Sequence, residues 1–293
     1  MPENQENKKY IITQNEYNGH IERVLNCFEL WHVGLGNRLK QLFTNMRYHK
    51  GQYDTVNIHW PIKGWVESPF KELFDFQGFP RINELNHSVF LDNKCREEAT
   101  WVLSLRQEER NELYKMAGIT RLDLEYNNIP QKFIDIYKPY FMALKPSKYV
   151  QRLIDTIELP QKCVSVHIRH MADWKEWNRW NENDIKLFIE EMHKYDEDTY
   201  FYAACQCAEV RELVMKEFKD RIIALPRDYS IKDNIRDTAD MFLLSKNKKL
   251  IGTYGSTFTE CVWWLSGGTQ EVTIIGSADS WKHGGVPDYM TPR

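Results

Sequence analysis

The sequence predicts an α/β protein, and three observations predict it. From Ser147 onward, short apolar segments alternate steadily with amphipathic ones, the order expected of a parallel sheet with both faces covered. Ahead of that stretch, Cys27–Phe43 reads as strand, glycine turn and helix. The 293 residues, 42% hydrophobic and 28% charged, are enough for one large or two ordinary globular domains.

The elements follow in order. Residues 1–22 form a polar lead-in with one edge strand at Tyr10–Thr13. Cys27–Trp31 is short and apolar, a first strand. In the next segment Leu35, Leu39, Leu42 and Phe43 fall at helical spacing behind Gly34 and Gly36. Val56, Ile58 and Trp60 alternate in a second strand, which Pro61 ends. Phe70–Phe76 is amphipathic, and Val89–Leu91 is a small strand. Leu103–Ala117 is a charged helix with Ser104 and Gln107 spaced as a capping box, and Gly118 stops it. Asp123–Asn128 is loop. Pro130–Phe141 is helical, with Ile134, Ile136, Tyr137 and Phe141 apolar. Leu144-Lys145-Pro146-Ser147 marks a domain boundary, because Pro146 breaks the chain and Ser147 can cap a helix over Lys148–Ile157. Beyond it come a strand at Cys163–Ile168, a helix at Asn183–His193, a strand at Thr199–Ala204, a helix at Ala208–Phe218 and a strand at Arg221–Leu225. A helix at Asp237–Ser245, a strand at Lys249–Gly252, a helix at Thr259–Leu265 and a strand at Val272–Ile275 complete the chain. The expected domains are 1–145 and 146–293.

Composition excludes several classes. The net charge is −3, from 39 basic and 42 acidic residues, so no global basic field attracts nucleic acid. Met1–Lys9 is polar with no apolar run behind it, and no stretch has the length of a membrane helix. A soluble, cytoplasmic protein without a transmembrane segment is expected. The 6 cysteines are dispersed with no CxxC pair, so buried free thiols are expected rather than a zinc site. Aromatic residues reach 13%, with 10 Trp, which fill cores and also stack on sugars and bases.

Three turns could carry chemistry. Along Cys163–His170, Val164, Val166 and Ile168 alternate with Ser165, His167 and Arg169, so a strand runs out into imidazole, guanidinium and imidazole. At the carboxyl edge of a parallel sheet, such donors suit a ligand site; equally they could pair with local carboxylates. Gly252, Gly255, Ser256 and Thr257 follow an apolar strand and precede a helix. That turn offers amides, two hydroxyls and a helix N-terminus to a phosphate, or simply an N-cap. The Gly34–Asn37 turn offers close backbone approach or a tight connection. It lacks the last glycine of the dinucleotide fingerprint and the end of a P-loop. Asp196-Glu197-Asp198 spells a D-x-D ahead of a strand and reads as a solvated loop, so no metal is implied.

Together these motifs resemble the donor site of the α1,2/α1,6/protein-O-fucosyltransferase superfamily. That group carries H-x-R at a strand end, then an Asp-headed apolar helix and a Gly-x-x-x-Ser-Ser/Thr-Phe turn. Here they are His167-Ile168-Arg169, Asp240-Met241-Phe242-Leu243-Leu244-Ser245 and Ile251-Gly252-Thr253-Tyr254-Gly255-Ser256-Thr257-Phe258. Gly34-Leu35-Gly36-Asn37-Arg38-Leu39 is similar to the group's G-x-G-N motif. The resemblance implies a GT-B fold, two Rossmann-like domains facing a cleft near Leu144–Ser147, with the acceptor on the N-terminal side. It implies inverting, metal-independent transfer of a sugar from a nucleotide diphosphate sugar, foremost GDP-fucose, to a glycan hydroxyl, with no further cofactor. Arg169 then meets the diphosphate and steadies the leaving group. Ser256, Thr257 and the amides from Gly255 to Phe258 hold the phosphates. Asp240 accepts from guanine, His167 lies by the ribose or base, and Gly34, Gly36 and Asn37 approach the sugar and phosphates. Where the group usually has a second Arg, this chain has His170. That departure keeps open a different donor, such as UDP-xylose, and a non-catalytic sugar- or nucleotide-binding protein. The base is expected in the following loop, at Glu176 or Asp173. Trp174, Trp177 and Trp180 beside them suit an acceptor platform or a hydrophobic lid.

Overall fold

A computed structural model describes residues 12–17, 19–28, 34–60, 62, 66–77, 81–85, 103, 106–117, 129–169, 182–227 and 230–276. They form two compact units. The first runs to Gln151 and includes Ser230–Thr238; the second starts at Arg152 and takes the remainder. The division thus falls past the Leu144–Ser147 stretch, and the second half of the chain returns one segment to the first unit.

The first unit has a four-stranded sheet in the order β1-β2-β3-β5, from β1 (Ile12–Tyr17), β2 (His20–Phe28), β3 (Thr55–His59) and β5 (Arg81–Leu85). β2, β3 and β5 are parallel, and β1 is an antiparallel edge. Tyr17 pairs with His20, so only two residues turn the hairpin, and Gly19 supplies the left-handed φ of 77° it requires. The strand expected at Cys27–Trp31 coincides at Cys27–Phe28 with the end of β2, residues 29–31 lying outside the described residues, and the edge strand expected at Tyr10–Thr13 overlaps β1 at Ile12–Thr13. β2 extends well ahead of the apolar stretch, where Arg23 forms a fork with Asp54 (2.7 and 3.1 Å) and drives that exposed carboxyl down to about 2 through their side-chain hydrogen bonds. A row of side chains crosses the sheet: Asn83 Nδ2 donates to Asn57, Asn57 to Asn26, and Asn26 to Thr13 Oγ1, at 3.2, 3.2 and 3.1 Å. Each link satisfies a polar group of its neighbour and ties the register of successive strands.

Helix α1 (Leu35–Tyr48) buries Leu35, Leu39, Leu42 and Phe43, the stripe read from the sequence, and Met46 beside them. Phe43 meets Phe141 edge-on at 4.7 Å, from α4 (Gln131–Ala143), the helix expected at Pro130–Phe141. α3 (Gln107–Ala117) starts later than expected. Its first turn is capped by Glu109, which accepts from the Arg106 amide at 2.9 Å, and Ser104 lies outside the described residues. Phe70–Phe76 splits into one helical turn, α2 (Phe70–Leu73), and a strand, β4 (Phe74–Phe76).

The stretch expected as a boundary, Leu144–Ser147, is itself regular structure. Leu144–Pro146 is a strand, β6, paired antiparallel with β4. Ser147 seals it: its hydroxyl donates to Glu72 O at 2.5 Å and accepts from the Val150 amide at 3.3 Å, capping α5 (Lys148–Ile154) as read.

The second unit is a five-stranded, all-parallel sheet in the order β11-β10-β7-β8-β9: β7 (Cys163–Ile168), β8 (Tyr200–Cys205), β9 (Ile222–Ile223), β10 (Lys249–Thr253) and β11 (Glu271–Ile275). All of β7 is buried. Val164, Val166 and Ile168 join a core with Phe188 and Met192 of α6 (Glu182–His193) and Val210, Val214 and Phe218 of α7 (Ala208–Phe218). The polar residues of β7 face α8 (Asp233–Leu244) and α9 (Thr257–Leu265): Ser165 Oγ donates to Leu244 O at 2.6 Å, and His167 meets Thr259. The alternation read in the sequence is thus real, but its polar face is covered too. Cys27, Cys163, Cys205, Cys207 and Cys261 are free thiols, as expected.

Candidate functional site

The chain leaves β7 toward β8 and β9, then returns to lay β10 and β11 on the other side of β7. Strand order reverses between β7 and β10, and a parallel sheet opens a ligand crevice at the carboxyl ends of such a pair. His167 and Arg169 stand at that end of β7; Thr253 to Phe258 stand at that end of β10.

Side-chain hydroxyls knit the two ends together. Thr253 Oγ1 accepts from the Arg169 amide and donates to His167 O, both at 2.9 Å. It continues the ladder where the strands stop pairing. Thr259 Oγ1 accepts from the Thr253 amide at 3.3 Å and lies 2.7 Å from His167 Nδ1. The His167 ring stacks on Phe258, centroids 4.6 Å apart at 26°. The ring is buried, and burial, with a smaller push from the Arg169 charge, lowers its pKa to about 3, so it is neutral at pH 7. Arg169 is half-buried.

Gly252 is dictated by packing. A Cβ there would lie 2.3 Å from Thr259 Cγ2, so α9 reaches β10 only over a glycine. Gly255 has φ 65°, which turns the chain into α9. Ser256 is the N-cap, accepting from the Thr259 amide at 3.4 Å, and Thr257 is the first helical residue. The capping reading of Ser256 therefore holds, and the helix N-terminus still opens at the sheet edge. The acid of its first turn, Glu260, is buried and accepts from Trp264 Nε1 at 3.2 Å.

Asp240 does not head its helix. α8 begins at Asp233, so Asp240 sits well inside it and balances no N-terminal dipole. It accepts a hydrogen bond from the buried Tyr202 hydroxyl. Burial first and the Asp240 charge second hold the Tyr202 pKa well above its usual value, so Tyr202 is the donor.

In the first unit, Gly34 is the N-cap of α1, while Gly36 and Asn37 lie in its first turn rather than in a loop. A Cβ on Gly34 would meet nothing within 4 Å, so packing does not demand glycine there. Asn37 Oδ1 is buried with no hydrogen-bond partner. His170, Asp173, Trp174, Glu176, Trp177 and Trp180 lie outside the described residues. The D-x-D is a solvated loop: Lys162 pairs with Asp196 (2.8 Å) and Asp198, whose side chains are 80% and 71% exposed. Among the described residues, no group of His, Cys, Asp or Glu is placed to hold a metal ion, and no helix is long and apolar enough to cross a membrane. Sequence reading passed over Thr253, Thr259 and Tyr202 as site-forming residues.

No family model matches the chain, and no curated protein matches it in sequence. Solved structures do match in fold. The α-1,6-fucosyltransferase NodZ soaked with GDP-fucose is similar over 83% of this chain and 92% of its own, at 21% identity and a TM-score of 0.53. POFUT1 in complex with GDP is similar over 86% and 98%, at 12% identity and 0.51. A variant of Arabidopsis thaliana FUT1 in complex with GDP is similar over 89% and 71%, at 12% identity and 0.52. The fold is that of the GT-B fucosyltransferases.

Proposed function

We propose that the chain is a glycosyltransferase that moves fucose from GDP-fucose to a glycan hydroxyl, inverting at the anomeric carbon without a metal ion. One observation carries the reading. Arg169 leaves β7 at the reversal of strand order, its amide held by Thr253, beside the Ser256-capped start of α9. An arginine that leaves a strand end where a neighbouring helix N-terminus also opens suits a diphosphate. The nucleotide is supported by structures of the same fold solved with GDP or GDP-fucose.

In this reading Arg169 pairs with the diphosphate and stabilises the charge that grows on departing GDP. Ser256, Thr257 and the first amides of α9 hold the phosphates along the helix dipole. These groups supply the charge stabilisation that a metal ion provides elsewhere. His167, neutral and stacked on Phe258, meets the ribose or base, and Asp240 accepts from guanine N1–H and N2–H. The acceptor hydroxyl attacks the anomeric carbon opposite the diphosphate and passes its proton to Glu176 or Asp173.

Thermal shift with GDP, UDP and their sugars tests the donor. GDP and GDP-fucose raise the melting temperature; stabilisation by UDP and not GDP overturns the fucosyl reading, which the His170 substitution makes a pointed comparison. Slow donor hydrolysis without acceptor separates an enzyme from a binding protein.

A further inference from the structure

We propose that Thr259 and Thr253 are positioning residues of this site: their hydroxyls fix the tautomer of His167, leaving Nε2–H as its ligand-facing donor, and hold the Arg169 backbone. The inference rests on the donor-site reading above.

The hydrogens at Thr259 can be counted. Its Oγ1 takes the Thr253 N–H at 3.3 Å, so one lone pair is used. The hydroxyl has a single proton to give, and we assign it to His167 Nδ1 at 2.7 Å; the reverse arrangement, Nδ1–H donating to the second lone pair, is the one the NMR test below separates from it. An imidazole that accepts at Nδ1 and stays uncharged carries its proton on Nε2. Burial in the sheet edge and the neighbouring Arg169 charge both disfavour the doubly protonated ring. The ring's only remaining polar group is then a donor. A donor fits the hydroxyls and carbonyl oxygen of a nucleoside, whereas a bare Nε2 would require a proton from the ligand.

Thr253 works on the backbone. Its Oγ1 bridges His167 O and Arg169 N, closing a ring around Ile168 that fixes the peptide from which the Arg169 side chain leaves. Gly252 allows the arrangement, because a side chain there would push Thr259 off the imidazole. The chain Thr253–Thr259–His167 is buried throughout, which keeps water from replacing any link.

The test uses the full chain and two readouts. The first is long-range 1H–15N NMR on histidine-labelled protein, with the His167 signal assigned by its loss in His167→Gln. The expected result is a ring protonated on Nε2 and bare on Nδ1; protonation on Nδ1 overturns the proposal. The second is GDP affinity by calorimetry. Thr259→Val is expected to weaken GDP about tenfold, one buried hydrogen bond's worth, while Thr259→Ser, which keeps the hydroxyl, stays near the unsubstituted protein. Equal weakening in both variants, or none in Thr259→Val, overturns it. Should Thr259→Val fail to fold, the NMR result on the unsubstituted protein still decides. Failure of the unsubstituted protein to bind GDP refutes the donor reading instead, and the tautomer is read independently of it.

Discussion

Replacing His167 with Gln should remove a pH dependence of stability that the site builds in. His167 is 6% exposed, and its pKa is lowered from 6.5 to about 3, chiefly by burial. The unfolded chain therefore binds a proton below about pH 6.5 that the folded chain refuses until about pH 3. The stability gained from keeping the ring neutral is fully present above 6.5 and is lost as pH falls toward 3. Integrating one proton from pH 7.5 to pH 5 gives a loss of about 2 kcal/mol. Urea unfolding at the two pH values measures it. The unsubstituted protein should lose about 2 kcal/mol more than His167→Gln over that interval, whatever the variant's own stability. Equal losses in the two proteins would mean that His167 titrates like a solvated imidazole, and the buried neutral ring, with the tautomer built on it, would have to be abandoned.

Two other substitutions test the supports of the site. Gly252→Ala places a Cβ 2.3 Å from Thr259 Cγ2, a buried β-branched neighbour that cannot swing away. Overpacking of that kind costs about 1–3 kcal/mol, so the urea midpoint should drop and GDP affinity fall with it; an unchanged midpoint contradicts the packing. Tyr202→Phe deletes the hydroxyl bound to Asp240. It should lower stability by about 1 kcal/mol and weaken GDP more than IDP, which lacks the guanine N2 amine, if Asp240 reads that edge; an unaltered GDP-to-IDP ratio removes Asp240 from base recognition.

Periodicity made the second unit legible. Ala208–Phe218 is the helix read, and β7 lies where its alternation put it. The reading failed where polar residues build regular structure. β2 is expected only at its Cys27–Phe28 end because Glu22 and Arg23 break the apolar run ahead of it, yet each is paired across the sheet, to Thr55 and Asp54. α8 was started too late because Asp233–Arg236 carries no apolar stripe, although the Asn234 side chain is buried and accepts from the Glu67 amide at 2.7 Å. Pro146 read as a break, but it ends a short antiparallel strand, where a missing N–H does little harm. In the site, Arg169, Ser256 and Thr257 were legible as motif residues. Thr253, Thr259 and Tyr202 were not, because a hydroxyl that bonds a distant backbone or ring leaves no period in the sequence; only the folded sheet brings its partner near.

The most direct test of the account is a calorimetric titration of GDP into the intact chain and into Arg169→Ala. Arg169 is the cation assigned to the diphosphate, so the account predicts saturable GDP binding that weakens at least about tenfold in the variant, as loss of a charge-assisted contact requires. GDP binding of equal strength in both proteins would contradict it, as would preferential binding of UDP.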